Sequence, residues 1–383
     1  MHRLTTALGM PQHRFASIHV VGTNGKSSVT RMIAALLEAH GVSAGASLSP
    51  HPSRWSERVL LHGEEIGKGE FTAAVARVAQ AAEVVNRALG EGEAITQFEA
   101  ATAASFVALV AGRVQAGVIE AGLGGRLDAT NTIPSRVTVL TSVGLEHTEW
   151  LGGTELEIAA EKLAVLRDHS TLVLGRVGPE VDALAEETAR ERGAKLVRAP
   201  EDPDPELRLR ARGPFQRRNF ALATAAAEAF LGGLDRKRVA AVAATLTIPG
   251  RLELIADDPP TLLDAAHNPD GAAALAEALP EVAGTRPVVA CLAILADKDA
   301  AAMIQALAPA LDRVVCTELP TERGSHSAAA LARLCEAAGL AAEAEPRFDE
   351  ALRRARALAV EAPGGALLVT GSHYVLARAR ISL

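Results

Sequence analysis

Short apolar runs alternate with amphipathic segments along most of the chain. The run SIHVVG at 17–22 predicts a buried strand, because it is short, rich in β-branched residues and followed directly by a turn. Apolar residues then recur at helical spacing over 27–40, at Val29, Ile33, Leu36 and Leu37. Gly41 is suited to end this helix. The pattern therefore predicts a strand, a Gly-rich turn and a helix in succession.

The same alternation continues to the C-terminus. Strands are predicted at 116–120, 137–143, 171–175, 261–266, 286–294, 312–318 and 366–371, and helices at 71–89, 97–112 and 154–166. Strands that alternate with helices are typical of parallel sheets. The proline-rich segment 248–260 lacks helical periodicity and marks a domain boundary. We predict an α/β fold with a large N-terminal domain over 1–247, built on a mostly parallel sheet, and a smaller Rossmann-like domain over 248–383.

Composition and charge argue against several classes of function. The chain has 383 residues and a net charge of −7, and no Lys/Arg block stands out, which argues against a nucleic-acid partner. No apolar run is long enough to span a membrane, and the N-terminal stretch lacks the core of a signal peptide. We expect a cytoplasmic protein. Cys291, Cys316 and Cys335 have no metal-ligand spacing and are predicted to be buried thiols.

The turn after the first strand has the residues of a phosphate-binding loop. Gly22-Thr23-Asn24-Gly25-Lys26-Ser27-Ser28 lies between a strand and a helix. In that setting, glycines let backbone N–H groups close on phosphates and the helix N-terminus favours negative charge. Lys26 can reach the outer phosphates and a hydroxyl can serve Mg²⁺. The alternative, a tight turn with an incidental lysine, leaves this combination unexplained.

Two side chains follow predicted strands. Glu120 ends the strand at 116–120, and His147 lies beyond the strand at 137–143. If both strands neighbour the phosphate-loop strand, the two groups face the bound phosphates and suit a divalent cation. Taken alone, Glu120 fits a polar strand cap and His147 a surface histidine. The Gly-rich segment that follows Glu120 predicts a backbone that turns sharply or approaches a ligand closely.

Together these residues resemble a known family. The motifs are GTNGKSS (22–28), SPH (49–51), ER (57–58), TQFE (96–99), EAGLGGRLDATN (120–131), EHT (146–148), IAAEK (158–162), PGRLE (249–253) and DAAHNP (264–269). In this order they resemble folylpolyglutamate synthase and bifunctional dihydrofolate synthase, of the Mur ligase superfamily. The resemblance runs from about Leu8 to the C-terminus. Ser27 stands where the family commonly has glycine.

The resemblance implies a role for each motif. Gly25, Lys26, Ser27 and Ser28 resemble the residues that hold the ATP phosphates. Ser49, Glu120 and His147 resemble the Mg²⁺ ligands, and one or two ions are implied. Asn219, Arg251 and Asp264 resemble further ATP contacts, and Asp264 and His267 the residues that help place glutamate. Thr96, Gln97, Phe98, Glu99, Leu127, Asp128 and Ala129 resemble the pterin-side contacts.

Lys162 matches the lysine that is carbamylated by CO₂ in this superfamily. Without the resemblance, a Glu161-Lys162 pair favours a solvated helix face. Arg251 lies beyond the predicted boundary, and such an arginine stabilises phosphoryl transfer only when two domains close. Asp264 ends a strand, where it can accept hydrogen bonds from ribose or cap its own loop.

The resemblance implies a Mg-ATP-dependent ligase that adds L-glutamate to dihydropteroate, to reduced folates, or to both, through an acyl phosphate. We expect a monomer that binds these small molecules. Asp128 is expected to accept hydrogen bonds from the pterin and Phe98 to stack on it; alternatively, Asp128 caps its turn and Phe98 packs in the core. The family usually has a longer segment before the phosphate loop, so polyglutamylation alone stays open. A peptidoglycan ligase is disfavoured by TQFE and GLGGRLDATN, and a GTPase-like switch by the lack of an NKxD motif.

Overall fold

The computed structural model describes residues 1–51, 54–202, 204–321 and 323–382. Within these ranges the chain forms two compact units, one of 1–208 with 218–246 and the other of 209–217 with 247–383. The sequence-based division at 247/248 differs from these units in Thr247 and in 209–217. The segment 209–217 contacts the second unit, since the Gly213 amide donates to a carboxylate oxygen of Glu281 at 3.1 Å.

The first unit is built on one sheet. Its strands are β1 Ala16–Val21, β2 Ala44–Ser47, β3 Val59–Leu61, β4 Glu64–Glu65, β5 Ala116–Glu120, β6 Ser135–Leu140, β7 Thr171–Leu174 and β8 Lys195–Arg198. Among the described residues they form an eight-stranded sheet of order β4-β3-β2-β5-β1-β6-β7-β8. The pairs from β2 to β8 are parallel, and β3 and β4 are antiparallel additions at one edge.

The helices of this part of the chain follow the predicted alternation. They are α1 His2–Ala7, α2 Lys26–Ala39, α3 Lys68–Asn86, α4 Gln97–Ala111, α5 Thr148–Leu151, α6 Glu155–Leu163, α7 Pro179–Glu191, α8 Pro214–Leu231 and α9 Arg236–Thr245. The buried face of α2 includes Val29, Met32, Ile33, Leu36 and Leu37, all 0% exposed. This is the helical periodicity read from the sequence.

Strand order decides where the functional groups meet. Strand β1 lies between β5 and β6, and β2 pairs with the other side of β5. Because these four strands are parallel, the residues that follow each of them gather at one edge of the sheet. The phosphate loop follows β1, and Ser49 and Glu120 come from its neighbours on one side. The segment that leads to His147 comes from β6, on the other side.

The second unit has its own sheet. Its strands are β9 Glu253–Asp257, β10 Pro260–Leu263, β11 Val288–Leu292, β12 Arg313–Cys316, β13 Ala341–Ala344 and β14 Ala366–Thr370. Its helices α10 to α14 are Pro269–Ala283, Ala300–Leu307, Ala328–Ala337, Phe348–Glu361 and His373–Ser382. The order within the described residues is β13-β12-β11-β14-β10-β9, parallel except for β9. The segment 248–260, predicted as a boundary, therefore contains the whole of the edge strand β9.

Two further sequence inferences can be compared with the structure. The three cysteines are buried free thiols, as predicted. No helix within the described ranges is long and apolar enough to cross a membrane.

Candidate active site

The turn after β1 requires glycine at two positions. Gly22 and Gly25 have φ values of +147° and +85°, which side chains rarely adopt. A Cβ at Gly22 would come within 1.9 Å of the Thr141 hydroxyl, and one at Gly25 within 2.6 Å of the Asn219 side-chain oxygen. The loop is therefore packed on both sides. Asn219, on α8, lies directly against it, at the position predicted for a nucleotide contact.

Residues after β6 hold the loop in place. The Thr141 hydroxyl donates to the Asn24 carbonyl at 2.6 Å, and the Asn24 amide donates to the Ser142 hydroxyl at 3.0 Å. The Thr23 amide donates to the Ser142 carbonyl at 2.9 Å. The sequence predicted a strand up to residue 143, but β6 ends at Leu140. The strand ends early because the next two residues direct their hydrogen bonds to the phosphate loop.

The N-terminus of α2 is suited to bind an anion. Gly25 caps this helix without a side-chain hydrogen bond, and its first turn carries no acidic residue. Helices α4 and α6, in contrast, begin with threonines whose side chains accept a backbone N–H. The ammonium of Lys26 donates to the loop carbonyls of Gly22 and Thr23 at 2.8 and 2.9 Å. Backbone N–H groups and the Lys26 cation thus lie at this turn.

Glu120 joins three motifs. Its carboxylate accepts the Ser27 hydroxyl at 2.8 Å and the Ser49 amide at 3.0 Å, and it is 2% exposed. The predicted metal ligands Ser49 and Glu120 are therefore neighbours beside the phosphate loop. A buried carboxylate with serine hydroxyls is a set of hard oxygen donors, which fits Mg²⁺. Among the described residues, no group of three or more His, Cys, Asp or Glu side chains could hold a metal ion. The proposed site therefore depends on the serine hydroxyls as further ligands.

A charged cluster lies beyond β6. The Lys162 ammonium is 1% exposed and donates to a Glu146 carboxylate oxygen at 2.9 Å and to the Gly22 carbonyl at 3.0 Å. Burial and the charge of Lys26 lower the pKa of Lys162 to about 8, against the opposing effect of Glu146. Burial by itself would raise the pKa of Glu146, but the charges of Lys26 and Lys162 lower it to about 2. The solvated helix face considered for Lys162 is wrong.

His147 is the residue that follows Glu146. It has left-handed backbone angles (φ 48°, ψ 42°), caps α5 and is half-buried. Its charge is among those that lower the pKa of Glu146. Because β5 and β6 both flank β1, the condition set for a shared site of Glu120 and His147 is met.

The carboxylate of Asp128 organises the Gly-rich loop. One oxygen accepts the amides of Gly122 and Leu123 at 3.0 and 2.8 Å. The other accepts the amide and hydroxyl of Thr130 at 2.9 and 2.5 Å. A carboxylate has about four lone-pair sites, so these donors match its full capacity. The geometry favours the turn-capping interpretation of Asp128; its contact with a pterin stays a prediction.

Phe98 packs on this loop from the side of α4. A Cβ at Gly122 would come within 2.3 Å of the Phe98 ring. The guanidinium of Arg58 lies 5.9 Å from that ring and 4.8 Å from the Trp55 ring, and it donates to His51 at 2.9 Å. The SPH, ER and TQFE motifs therefore meet beside the Gly-rich loop.

The remaining predicted acceptor residues differ in accessibility. Thr96 and Glu99 form a capping box at the start of α4, and Glu99 pairs with the N-terminal ammonium of Met1. Gln97 is exposed at the first position of the same helix. Leu127 is 92% exposed and Ala129 is buried. Thr96 and Glu99 thus have structural partners, whereas Leu127 offers a bare apolar surface.

In the second unit, Asp264 follows β10 and is 3% exposed. Its two oxygens accept the amides of Leu252 and Ala266, both at 2.8 Å. Burial raises the pKa of Asp264, although Arg251 opposes the shift. The loop-cap interpretation therefore applies, and each oxygen keeps capacity for another donor. Arg251 is half-buried and lines a cavity of about 290 Å³ within this unit.

His267 lies between Asp264 and the start of α10. One ring nitrogen is 2.9 Å from the Ala265 carbonyl, and the ring centroid is 5.1 Å from that of His373. Asn268 caps α10 by accepting the Gly271 amide at 2.8 Å, and Pro269 occupies the first helical position. The DAAHNP motif is thus a strand end, a cap and a helix start, with His267 between them.

Sequence reasoning missed three contributors to the site. Glu146 was part of a quoted motif but received no role, although it pairs with Lys162. Thr141 and Ser142 were placed in a strand. For Thr141 and Ser142 the signal was a polar residue at the end of an apolar run, since side chains at parallel strand ends face the ligand edge.

Comparison with known proteins agrees with this geometry. The family described as "Mur ligase, glutamate ligase domain" matches residues 250–373. The dihydrofolate synthase/folylpolyglutamate synthase of Mycobacterium tuberculosis is 34% identical over 88% of this chain and 76% of its own length. The folylpolyglutamate synthase of Lacticaseibacillus casei is 32% identical over 99% of this chain and 92% of its own. The chain belongs to the dihydrofolate synthase/folylpolyglutamate synthase family.

Solved structures show the same fold. Mycobacterium tuberculosis folylpolyglutamate synthase complexed with ADP has a TM-score of 0.92 at 31% identity, covering 99% of this chain and 93% of that one. E. coli FolC in complex with DHPP and ADP has a TM-score of 0.86 at 27% identity, with 100% and 92% coverage. The bifunctional Yersinia pestis enzyme complexed with AMPPNP and Mn ion has a TM-score of 0.85 at 27% identity, with 99% and 92% coverage. As a member of this family, the chain is an ATP-dependent amide ligase of the Mur type.

Proposed function

We propose that this family member joins L-glutamate to dihydropteroate and to reduced folates. The acceptor carboxylate attacks the γ-phosphate of ATP, which gives an acyl phosphate and ADP. The amine of glutamate then attacks the acyl carbon, the amide forms, and inorganic phosphate and a proton leave. This chemistry needs charge neutralisation and positioning and no protein nucleophile.

One observation carries the proposal. The ends of four adjacent parallel strands bring together the phosphate loop, Ser49, Glu120 and the segment 141–147. A cation-lined turn, a buried carboxylate and a helix N-terminus meet at one edge. This arrangement supports binding of a nucleoside triphosphate with its metal.

Residues of the loop would act on the phosphates. Lys26 now donates to loop carbonyls at 2.8 and 2.9 Å, and a rotation of its flexible side chain would direct it to the β- and γ-phosphates. The N-terminus of α2 would add its dipole, and Ser27 and Ser28 their hydroxyls. Mg²⁺ would be held by Ser49, Glu120 and His147 and would neutralise phosphate charge.

Lys162 is proposed to carry a carbamate. CO₂ reacts with a neutral amine, and burial favours the neutral form of Lys162. The ammonium would lose one proton to become the neutral amine, and formation of the N–C bond would release a second, so that a buried cation becomes an anion. That anion would lie beside Gly22, whose carbonyl is now 3.0 Å from the Lys162 nitrogen, and it could face a second metal ion. Glu146, now paired with the ammonium, would then need another cation as its partner.

The acceptor would lie along the Gly-rich loop. Phe98, held between Gly122 and Arg58, supports stacking on a pterin ring. Leu127 gives an exposed apolar contact in the same loop. Asp128 would support the pterin through this loop or by exchanging one of its internal donors for the ligand. The motif residues Thr96, Gln97, Glu99 and Ala129 complete the proposed surface.

The second unit would contribute to nucleotide and glutamate binding. Arg251 is proposed to neutralise charge during phosphoryl transfer, and Asp264 to contact the nucleotide, as is Asn219 of the first unit. His267 is proposed to help place glutamate, which its position between a capped strand end and a helix start supports.

The decisive experiment is ADP release with ATP, L-glutamate and each candidate acceptor in turn. Dihydropteroate and tetrahydrofolate should both stimulate release, and mass spectrometry should find each acceptor heavier by one glutamate residue. Stimulation by tetrahydrofolate alone would restrict the function to polyglutamylation. A UDP-linked muropeptide precursor serves as the negative control, and turnover with it alone would refute the proposal.

Two properties complete the proposal. We propose a cytoplasmic location, because the reaction consumes ATP, and a monomeric state. Light scattering coupled to size exclusion tests the latter, and a mass of twice 39.8 kDa would contradict it.

A further inference from the structure

A histidine lies in the middle of the central strand of the first sheet. His19 is on β1 and 0% exposed, with β5 on one side and β6 on the other. Its Nε2 is 2.8 Å from the Thr130 hydroxyl, 111 positions further along the chain. Its Nδ1 is buried without a hydrogen-bond partner. A buried polar ring costs free energy unless it is hydrogen-bonded, and this ring has one such bond, to Thr130.

The direction of the hydrogen bonds follows from proton counting. The Thr130 hydroxyl has one proton, and it donates this proton to Asp128 at 2.5 Å. The same oxygen must then accept from His19, so His19 carries its proton on Nε2. Burial, helped by the charge of Arg167, lowers the pKa of His19 to about 3, which keeps the ring neutral with this single tautomer. The order is His19 N–H to Thr130 O–H to the Asp128 carboxylate.

This chain of bonds ends on the Gly-rich loop. The second Asp128 oxygen holds the amides of Gly122 and Leu123. Gly122 supports the Phe98 ring, where a Cβ would come within 2.3 Å. At the other end of the loop, a Cβ on Gly125 would meet the carbonyls of Glu161 and Lys162 at 2.5 and 2.9 Å. A shift of Asp128 would therefore move both the surface beside Phe98 and the backbone next to Lys162.

We propose that His19 and Thr130 are positioning residues for the ligase reaction: they fix the orientation of Asp128, and through it the loop 122–125 that borders the acceptor. His19 is 0% exposed and Thr130 is 1% exposed, so both would act through Asp128. Hydrogen bonding to the Thr130 hydroxyl leaves Asp128 with one rotamer, since both its oxygens then have fixed donors. This inference rests on the proposed function for its kinetic test and on the hydrogen bonds for its spectroscopic test.

The kinetic test compares His19→Leu with His19→Gln and with Ser17→Ala. Ser17 is two residues earlier on the same strand and is also 0% exposed, with a hydroxyl that has no partner. His19→Leu should lower kcat/KM for the acceptor by about 10- to 100-fold, while the Kd for AMPPNP stays within about twofold. His19→Gln retains an N–H donor and should recover much of the loss, and Ser17→Ala should match wild type.

A second pair of variants tests the same chain of hydrogen bonds at Thr130, its middle member. Thr130→Val removes the hydroxyl at nearly constant shape, whereas Thr130→Ser keeps it. We expect the acceptor defect with valine and near wild-type kinetics with serine. In the double variant His19→Leu/Thr130→Val the losses should not add, because both remove one chain of bonds. If His19→Leu fails to fold, this pair still decides the question.

Nitrogen-15 NMR of histidine reports on this chain of hydrogen bonds without any substrate. His19 should show a protonated Nε2 at neutral pH, and Thr130→Val should shift that signal more than Thr130→Ser does. A protonated Nδ1 would overturn the proposal. So would equal losses in acceptor and AMPPNP binding, or unchanged acceptor kinetics in folded His19→Leu and Thr130→Val. If wild type uses no acceptor, the proposed function fails, while the NMR result still shows whether the hydrogen bonds from His19 through Thr130 to Asp128 are present.

Discussion

The ammonium of Lys162 lies 2.9 Å from the carboxylate of Glu146, in surroundings that leave the lysine 1% exposed. A buried ion pair of this kind is weak support for a purely stabilising role, because desolvation offsets much of the attraction. The pair lies beside the phosphate loop, since the same ammonium also donates to the Gly22 carbonyl. Its position points to chemistry at the phosphates.

The first prediction concerns the carbamate of Lys162. With a pKa of about 8, roughly a tenth of the lysine is neutral at pH 7, about 300-fold more than at the ordinary lysine pKa of 10.5. Protein equilibrated with ¹³C-bicarbonate should therefore show a carbamate signal in ¹³C NMR that Lys162→Ala lacks. Lys162→Ala should be inactive and partly restored by acetate. Lys162→Arg, which keeps the charge, should also be inactive.

Lys68→Ala is the matched control, since Lys68 is exposed at the start of α3. It should retain both the carbamate signal and full activity. An active Lys162→Arg variant without any carbamate signal would show that the positive charge is what matters.

The second prediction is that Lys26→Ala abolishes ligation and leaves the fold intact. The Lys26 ammonium contacts carbonyls of its own loop, so its removal breaks no hydrogen bond to a distant part of the chain. Loss of a cation at the phosphates should lower kcat by about a hundredfold or more. ADP release measures the loss, and circular dichroism with thermal unfolding checks the fold. Wild-type turnover in the folded variant would exclude the loop as the site of phosphoryl transfer.

Sequence pattern was sufficient to locate the strand, turn and helix that form the proposed phosphate loop. The helical spacing of Val29, Ile33, Leu36 and Leu37 reappears as the buried face of α2. Glu120 was placed at a strand end, and the strand does end there. Such features are local, since a run of side chains and the turn after it determine them. The order of strands, which makes Glu120 a neighbour of the loop, is not local.

Partners distant in the chain could not be predicted. The link from His19 to Thr130 spans 111 positions, and nothing in the strand pattern distinguishes His19 from an inert core residue. The sequence leaves two roles open for Asp128, an acceptor for a pterin or a cap of its own turn, and the fold supplies four internal donors. Hydrogen-bond saturation depends on tertiary packing, so a motif identifies Asp128 without showing what it binds.

The third prediction tests the packing of Phe98 on the Gly-rich loop. Gly122→Ala places a methyl group 2.3 Å from the ring and must displace it. We expect KM for the acceptor to rise by about tenfold or more while AMPPNP affinity stays unchanged. Phe98→Ala should give a similar defect. Adding Gly122→Ala to Phe98→Ala should cost little more, because the clash is then absent.

Isothermal titration with AMPPNP and steady-state kinetics with tetrahydrofolate separate the two effects. Gly178→Ala is a suitable control, since no atom lies within 4 Å of a Cβ there. Losses that add fully in the double variant would mean that the alanine acts on the loop and not through Phe98.

The fourth prediction is an acid sensitivity of the first unit. His19 has a pKa of about 3 in the folded chain against 6.5 as a free side chain, because it is buried. Between these values the unfolded chain binds a proton at His19 and the folded chain does not. The free energy of unfolding should therefore fall as the pH drops below about 6.5, by up to about 1.4 kcal/mol per pH unit from this residue. His19→Gln cannot bind the proton, so its unfolding free energy should fall less over the same interval.

Hydrogen exchange of the β1 amides is the appropriate measurement, since a chain of two units need not unfold in one step. From pH 6.5 to pH 4.5, wild type should lose up to about 2.3 kcal/mol more protection free energy than His19→Gln, after correction for the intrinsic exchange rate. His13→Gln, which alters an exposed histidine, should behave as wild type. Equal losses in wild type and His19→Gln would mean that the folded chain protonates His19 readily. Such protonation would place a donor on both ring nitrogens, and the Nδ1 that has no partner would then require one.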